Sequence, residues 1–262
     1  MKRTFLSRLA IFLTVLFVPL SAADAADLVY KSPAPPTGSW TGFYFGIDGG
    51  YGWNQRTGDR YCINPAGVLF GTGCSPNEVS SVFSPSGGLV GGEAGYNWQT
   101  GVVVTGMETD IQWSGIRAST VVPIATAIPG GTYTATDNLS WFGTTRGRIG
   151  FLATPQLLAY ATGGIIYGRE NVSALTTPGN GFLYPSAAST TRAGGVVGAG
   201  LEYAFAANFS AKIEGLYYDM GTLTTTFACP AGATTCAAGY TEGGNFAVRG
   251  AILRGGLNLH FN

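Results

Sequence analysis

The sequence predicts an all-β protein: an eight-stranded antiparallel transmembrane up-and-down β-barrel with four long extracellular loops and three short periplasmic turns. Three observations predict it. Eight segments alternate apolar side chains with small or polar ones, and the connections between them are alternately long and short. After residue 25 no apolar run is long enough for a spanning helix. A membrane protein without such helices must close its sheet, because lipid cannot satisfy an open sheet edge.

Residues 1–25 are predicted to be a secretory signal peptide. A basic start precedes an apolar run from Leu9 to Leu20, which is shorter than the ~20 residues of a spanning helix. Small residues at Ala23 and Ala25 fit a cleavage site that would leave Ala26 first in the mature chain, with cleavage after Ala23 as the alternative. Removal of this peptide leaves 11 basic and 13 acidic residues. No basic block is present, so nucleic acid is not an expected partner.

Residues 40–53 show the alternation that defines each predicted strand. Phe43 and Phe45 share one face with other apolar residues, whereas Tyr44 and Asp48 lie on the opposite face with glycines. Seven further segments alternate in the same way and are near the ~9–11 residues that a tilted strand needs to cross a bilayer, or slightly longer. They are Gly88–Trp98, Val102–Trp113, Leu139–Phe151, Leu157–Gly168, Arg192–Phe205, Phe209–Met220 and Phe246–Phe261.

The connections indicate the orientation of the barrel, which is expected to occupy residues 40–262. Short periplasmic turns and long outer loops are typical of outer-membrane barrels, and an even strand number then places both termini in the periplasm. The long connections are Asn54–Gly87, Ser114–Asn138, Arg169–Thr191 and Gly221–Asn245. The short ones are Gln99–Gly101, Ala153–Gln156 and Ala206–Asn208.

The apolar faces are expected to contact lipid, since a narrow barrel with long loops favours an arrangement opposite to that of a soluble carrier. The residues predicted to face outward include Val103, Met107, Ile111, Ile149, Ile165, Val197, Leu201, Ile213, Leu257 and Leu259. Aromatic residues near strand ends predict girdles at the two membrane interfaces. These are Trp40, Trp53, Trp98, Trp113, Phe151, Tyr203, Phe205 and Phe209.

Charged residues fall on the opposite faces and are predicted to fill the lumen, because eight strands leave only enough interior space for side chains. Buried charges that are not paired cost several kcal/mol each, so we expect a salt-bridged plug. Its members are Glu93, Glu108, Asp110, Arg146, Arg148, Glu202, Lys212, Glu214 and Arg254. The alternatives are an ion or proton relay and a narrow gated pore.

No catalytic site, metal or cofactor is expected. The only histidine, His260, lies near the C-terminus, and a loop Ser–His or Cys–His pair would need another. The carboxylates adjoin arginines in a filled lumen, which disfavours paired-acid hydrolysis.

The four cysteines of the chain fall into two local pairs within the first and fourth long loops. Cys62 with Cys74 and Cys229 with Cys236 form the simplest of three disulfide connectivities for an exported protein. A zinc site is the alternative, but neither spacing is C-x-x-C and the loops contain no histidine.

Several short motifs in order resemble one known family. They are Trp40-Thr41-Gly42-Phe43-Tyr44, Asp110-Ile111-Gln112-Trp113, Trp141-Phe142-Gly143-Thr144-Thr145-Arg146-Gly147-Arg148, Ala161-Thr162-Gly163-Gly164 and Leu257-Asn258-Leu259-His260-Phe261. Nearly all of the mature chain resembles the small alphaproteobacterial outer-membrane barrels of the opacity-type porin family, known as outer-membrane immunogenic proteins. The resemblance implies a barrel like the OmpA membrane domain, located in the outer membrane. It also implies insertion by the barrel-assembly machinery, with Phe261 as the assembly signal, although Asn262 follows it.

The segment 26–39 is predicted to be an extended, Pro-rich periplasmic tail. Its Ala26-Asp27 start resembles that of barrels joined to peptidoglycan, which suggests covalent attachment at Ala26. The loops are expected to meet lipopolysaccharide, host molecules or phage. We therefore expect a structural barrel that stabilises the envelope and displays surface loops. A small diffusion porin is the alternative, and a receptor for haem or a host ligand is the weaker one, since the loops hold tyrosines such as Tyr61, Tyr133, Tyr184 and Tyr240 but no histidine.

Overall fold

The computed structural model describes residues 39–54, 59–64, 78–81, 84–123, 132–177, 184–228 and 241–261. Within these ranges every regular element is a strand, and no helix long and apolar enough to cross a membrane occurs. The strands are β1 (Gly42–Asn54), β2 (Asp59–Asn64), β3 (Glu78–Ser81), β4 (Ser86–Thr100), β5 (Val103–Pro123), β6 (Thr132–Thr154), β7 (Leu157–Thr177), β8 (Tyr184–Ala206), β9 (Phe209–Ala228) and β10 (Thr241–Phe261).

Eight of the described strands close into an antiparallel ring. Their order is β1-β4-β5-β6-β7-β8-β9-β10, and β10 pairs with β1 to complete it. The closing pair aligns Tyr44 with His260 at one end and Trp53 with Ala251 at the other. Closure removes the unpaired edge that would otherwise face lipid. The predicted fold class is therefore confirmed.

The strands β2 and β3 add a short hairpin to the ring on the side of the long connections. β2 pairs with residues 241–244 of β10, which pair with β9 on their other side. β3 in turn pairs with β2. The sequence pattern predicted one long loop from Asn54 to Gly87, so the two strands are a correction to that prediction. Their pairing depends on the neighbouring β10 and not on a local alternation of apolar residues.

The later ring strands extend well beyond their predicted ends on the same side. β6 and β8 each contain 23 residues. β6 begins at Thr132 instead of Leu139, and β8 begins at Tyr184 instead of Arg192. These extensions are rich in threonine and serine. Threonine favours the extended backbone of a strand, but its side chain does not create an apolar face. Alternation of apolar residues could therefore not predict them.

The three predicted short turns are present. β4 and β5 are joined by Gly101 and Val102, and β8 and β9 by Ala207 and Asn208. Gly101 has a φ of 63°, in the left-handed region that glycine adopts without steric cost. Such tight connections fix the pairing register of adjacent strands.

A β-bulge reverses the alternation of side chains within β6. Leu139 pairs with Glu170, whereas Trp141 pairs with Arg169, so β6 has one extra residue here. As a result Leu139 and Phe142 both point into the barrel and are buried, although they lie three residues apart.

The outer face of the ring is apolar. The ten residues predicted to face lipid are between 36% and 60% exposed, and the predicted girdle aromatics from Trp53 to Phe209 are exposed as well. The prediction is wrong for Trp40, which is only 5% exposed. Trp40 precedes β1, so its side chain need not follow the alternation of inward and outward side chains in that strand. Its indole Nε1 donates to the Pro155 carbonyl at 3.1 Å, and its backbone N–H donates to Gln99 Oε1 at 2.8 Å.

Candidate functional site

The structure places all nine residues predicted for the lumen inside the barrel, each at most 5% exposed. They belong to β4, β5, β6, β8, β9 and β10. Each occupies a position whose side chain points into the barrel, because successive side chains of a strand point to opposite faces. The lumen network, as we call it, consists of these nine residues and Asp48 of β1. Among the described residues it therefore holds six carboxylates and four cationic side chains.

Glu108 lies at the centre of the lumen network. Its carboxylate contacts all four cations: it pairs with Arg146, lies 3.2 Å from Lys212 Nζ, 3.4 Å from Arg254 Nη2 and 3.5 Å from Arg148 Nη1. The Tyr44 hydroxyl also donates to Glu108 at 2.7 Å. One carboxylate thus shares several charge-assisted hydrogen bonds, which are stronger than neutral ones.

Arg254 joins the carboxylates on the side of the long connections. It lies 2.7 Å from Glu214, 3.0 Å from Asp110 and 3.3 Å from Asp48. The same two carboxylates, Glu214 and Asp110, also accept Arg146 at 2.9 Å and 3.1 Å. Two guanidinium groups therefore share two carboxylates, and each charge has more than one partner. This is the arrangement that a buried charge needs to offset its desolvation.

Glu202 forms a second focus, nearer the short turns. Arg148 Nη2 lies 2.6 Å from Glu202 Oε2, and Asn258 Nδ2 donates to Oε1 at 2.9 Å. The Ser210 hydroxyl donates to the same Oε1 at 2.6 Å. Lys212, which is farther along β9, pairs with Glu93.

Ser210, His260 and Glu202 meet at this focus, but their geometry is not that of a catalytic triad. His260 Nε2 lies 2.8 Å from Ser210 Oγ and 3.3 Å from Glu202 Oε1, so one ring nitrogen faces both groups. In a triad the serine and the acid contact opposite nitrogens. The Ser210 hydroxyl also donates to Glu202, and the Ser210 side chain is fully buried.

Sequence reasoning missed several polar members of the lumen. Tyr44 and Asp48 were placed on the face of β1 opposite the apolar residues but were not assigned to the network. Gln112 is a further member, and its Nε2 donates to Asp48 at 3.1 Å. Thr144 donates to Asp110 at 2.7 Å and accepts from Arg146 Nε at 2.9 Å. Their inward positions could have been predicted, because uncharged polar residues follow the same alternation of inward and outward faces as charged residues do.

Clusters of buried apolar side chains, the apolar layers, lie on both sides of the network, and neither was predicted from the sequence. Toward the long connections the layer contains Leu89, Ile116, Leu139, Phe142, Ile166, Val196, Leu216, Tyr218, Met220, Val248 and Ile252. Toward the short turns the layer contains Trp40, Val104, Leu158 and Tyr160. The charged middle therefore lies between two buried apolar clusters.

The other predicted sites fall mostly outside the described residues. Cys62 lies in β2, but Cys74, Cys229 and Cys236 are outside the described ranges, so both disulfides stay predictions. The signal peptide and Ala26 are also outside them. Phe261 ends β10 with its ring exposed, 5.9 Å from the ring of Phe45.

Comparison with known proteins identifies the family. The model of the outer membrane protein beta-barrel domain matches residues 10–261. This chain belongs to that family. The predicted family and the outer-membrane location are thereby confirmed. The barrel is similar to the 31 kDa outer-membrane immunogenic protein of Brucella melitensis, with 36% identity over 209 residues, 77% of this chain and 82% of the relative.

Two further proteins are similar to this chain, one in sequence and one in structure. The 22 kDa outer membrane protein of Rhizobium leguminosarum is 32% identical over 189 residues, 72% of this chain and 68% of that protein. The crystal structure of OprG from Pseudomonas aeruginosa aligns with 84% of this chain and 98% of its own, at 12% identity and a TM-score of 0.45.

Proposed function

We propose that this protein is a closed structural barrel that stabilises the outer membrane and displays surface loops. The observation that carries the proposal is the position of the buried, ion-paired lumen network between two apolar layers. Ions crossing the barrel would have to break ion pairs such as Arg148–Glu202, 2.6 Å long, and then pass the apolar side chains of Phe142 and Ile166. Removing one partner of a buried pair costs about 3–5 kcal/mol, so the closed state is strongly favoured.

A small cation-selective pore is the second candidate, and one observation favours it. The lumen network holds two more carboxylates than cations. An excess of carboxylates attracts cations to a pore wall. Rearrangement of the apolar layers would be needed before such a pore could conduct.

Conductance of the refolded mature chain, residues 26–262, in a planar bilayer tests the two candidates. A mobility shift between unheated and boiled gel samples verifies folding first. Folded protein that stays silent supports the closed barrel. Steady single-channel currents that change with Glu108→Ala would establish a porin and overturn the proposal. Ile165→Ala, on the lipid-facing side, is the matched control and should leave any current unchanged.

The remaining expectations belong to the same proposal. It includes no enzymatic activity and no cofactor. Insertion by the barrel-assembly machinery through Phe261, attachment of Ala26 to peptidoglycan, and loop contacts with host molecules, phage or haem are further predictions. Mass spectrometry of muramidase-released protein tests the attachment: a muropeptide on Ala26 supports it, and an unmodified terminus rejects it.

A further inference from the structure

The outer surface of the barrel is charged just beyond its apolar belt, on the side of the long connections. Trp113, Trp141 and Tyr167 mark the end of the belt there. Arg117 of β5 and Arg169 of β7 follow them by four and two residues on the same outward faces. β9 and β10 contribute Asp219 and Arg249 at the corresponding level, paired at 4.0 Å. At the opposite rim, no charged side chain faces outward among the described residues.

Arg169 belongs to a hydrogen-bonded group of polar side chains on the outer surface. Its Nε donates to Ser189 Oγ at 2.8 Å, and Ser189 donates to Asn171 Oδ1 at 2.8 Å. Asn171 Nδ2 donates to Ser140 Oγ at 3.2 Å. These side chains come from the adjacent strands β6, β7 and β8, directly beyond the aromatic pair Trp141–Tyr167, whose ring centroids are 6.5 Å apart.

Arg169 and Arg117 carry charge that the described protein does not neutralise. Within the described part of the chain neither forms an ion pair with a carboxylate, whereas Arg249 lies beside Asp219. One strand, β6, lies between the strands that carry Arg117 and Arg169, and the two strand spacings correspond to about 10 Å across the sheet. The two arginines therefore form a positive surface at the depth where lipid head groups begin.

We propose that Arg169, with Ser140, Asn171, Ser189 and the flanking Arg117, binds a phosphate of the phosphorylated glycolipid in the outer leaflet. A guanidinium group matches phosphate geometry with paired hydrogen bonds, and the hydroxyl and amide groups supply further donors. The aromatic pair beneath them suits the boundary between head group and acyl chains. Among the residues that the structure describes, outward-facing charge occurs on the loop side alone, and in an outer membrane that side faces the phosphate-rich glycolipid leaflet. The inference rests on the envelope-stabilising role proposed above, but it does not require a closed lumen.

Urea unfolding of the barrel in phosphatidylcholine vesicles, with and without bis-phosphorylated lipid A, tests the site. We expect lipid A to raise the unfolding midpoint of the wild-type barrel, since a ligand that binds only the folded state stabilises it. The double variant Arg117→Gln/Arg169→Gln should lose most of this rise, corresponding to lipid A binding weakened by at least about tenfold. Arg249→Gln, which removes one arginine already paired with Asp219, is the matched control and should keep the rise.

Three results would overturn the site. The first is that lipid A raises the unfolding midpoint of the wild type and of the double variant equally. The second is that Arg249→Gln loses as much of this rise as the double variant does, which would indicate unspecific charge attraction. The third is an equal rise with dephosphorylated lipid A. Inorganic phosphate at matched concentration should give no rise, because it lacks the membrane anchor; a rise with phosphate alone would also reject the glycolipid. Conductance measured on the same samples separates the two proposals, since current with an intact lipid A effect rejects only the closed barrel.

Discussion

Arg146 of β6 lies 2.9 Å from Glu214 of β9, across the lumen and with two strands between them in the ring. Ladder hydrogen bonds connect only neighbouring strands, so this ion pair braces the barrel in a direction that the sheet cannot. Arg146 also pairs with Glu108 and Asp110 of β5. One guanidinium therefore holds two separate parts of the wall together.

Replacement of Arg146 by methionine should destabilise the folded barrel by about 3–5 kcal/mol, because it leaves buried carboxylates without a partner. The midpoint of urea unfolding, followed by the gel mobility shift, measures this loss. Arg117→Met on the outer surface, measured without glycolipid, should change the free energy of unfolding by less than about 0.5 kcal/mol. Equal effects of the two substitutions would mean that the lumen network does not stabilise the fold.

A glycine on β4 makes room for the ring of Tyr44. A Cβ added at Gly95 would lie 2.3 Å from the Tyr44 hydroxyl and its Cζ atom, so Gly95→Ala must displace the ring that donates to Glu108. We expect a loss of about 1–3 kcal/mol in unfolding free energy. Gly215→Ala is the control, because a Cβ there has no heavy atom within 4 Å. A neutral Gly95→Ala would show that Tyr44 is not confined as the structure describes.

Trp40 shields the single histidine of the chain. Its ring centroid is 5.6 Å from that of His260, which is 6% exposed. Trp40→Ala should therefore speed the reaction of His260 with diethyl pyrocarbonate several-fold, as followed by mass spectrometry. Trp98→Ala removes an exposed aromatic at the same rim and should leave the rate unchanged. An unchanged rate in Trp40→Ala as well would contradict the shielding.

The apolar layer and the lumen network should act as separate seals. Phe142 is fully buried, so Phe142→Ala should cost about 3–5 kcal/mol of unfolding free energy. The folded variant should nevertheless remain silent in a planar bilayer, because the ion pairs below the cavity are intact. The exposed Phe151 offers a control whose replacement by alanine should cost much less. Open-channel currents from Phe142→Ala would show that the charges alone do not block the lumen.

Alternation of side chains was enough to predict the ring and its lipid-facing surface. The same parity placed Glu108 and Arg254 in the lumen, because a strand in a membrane barrel has only two environments. Contacts across the lumen, such as Arg148–Glu202, depend on the relative stagger of distant strands. No local pattern in the sequence reports this stagger, so the partners could only be named as a group.

Other features escaped prediction for physical reasons of their own. The bulge in β6 turns Leu139 and Asp137 inward, and a single extra residue leaves no periodic signal. Trp40 looked like a girdle residue because tryptophan suits both an interface and a buried site with a partner for its N–H. In the strand extensions the outward side chains are mostly polar instead of apolar, so the alternation that identifies the membrane-spanning strands disappears.

The ten charges of the lumen network come from seven of the eight ring strands. Asp48 belongs to the first strand of the chain and Arg254 to the last, and they meet at 3.3 Å only after β1 and β10 have paired. A half-inserted chain would therefore hold several unneutralised charges beside lipid, at a cost of several kcal/mol each. Insertion and closure are for this reason expected to occur as one cooperative event, with no partly assembled barrel accumulating on the way.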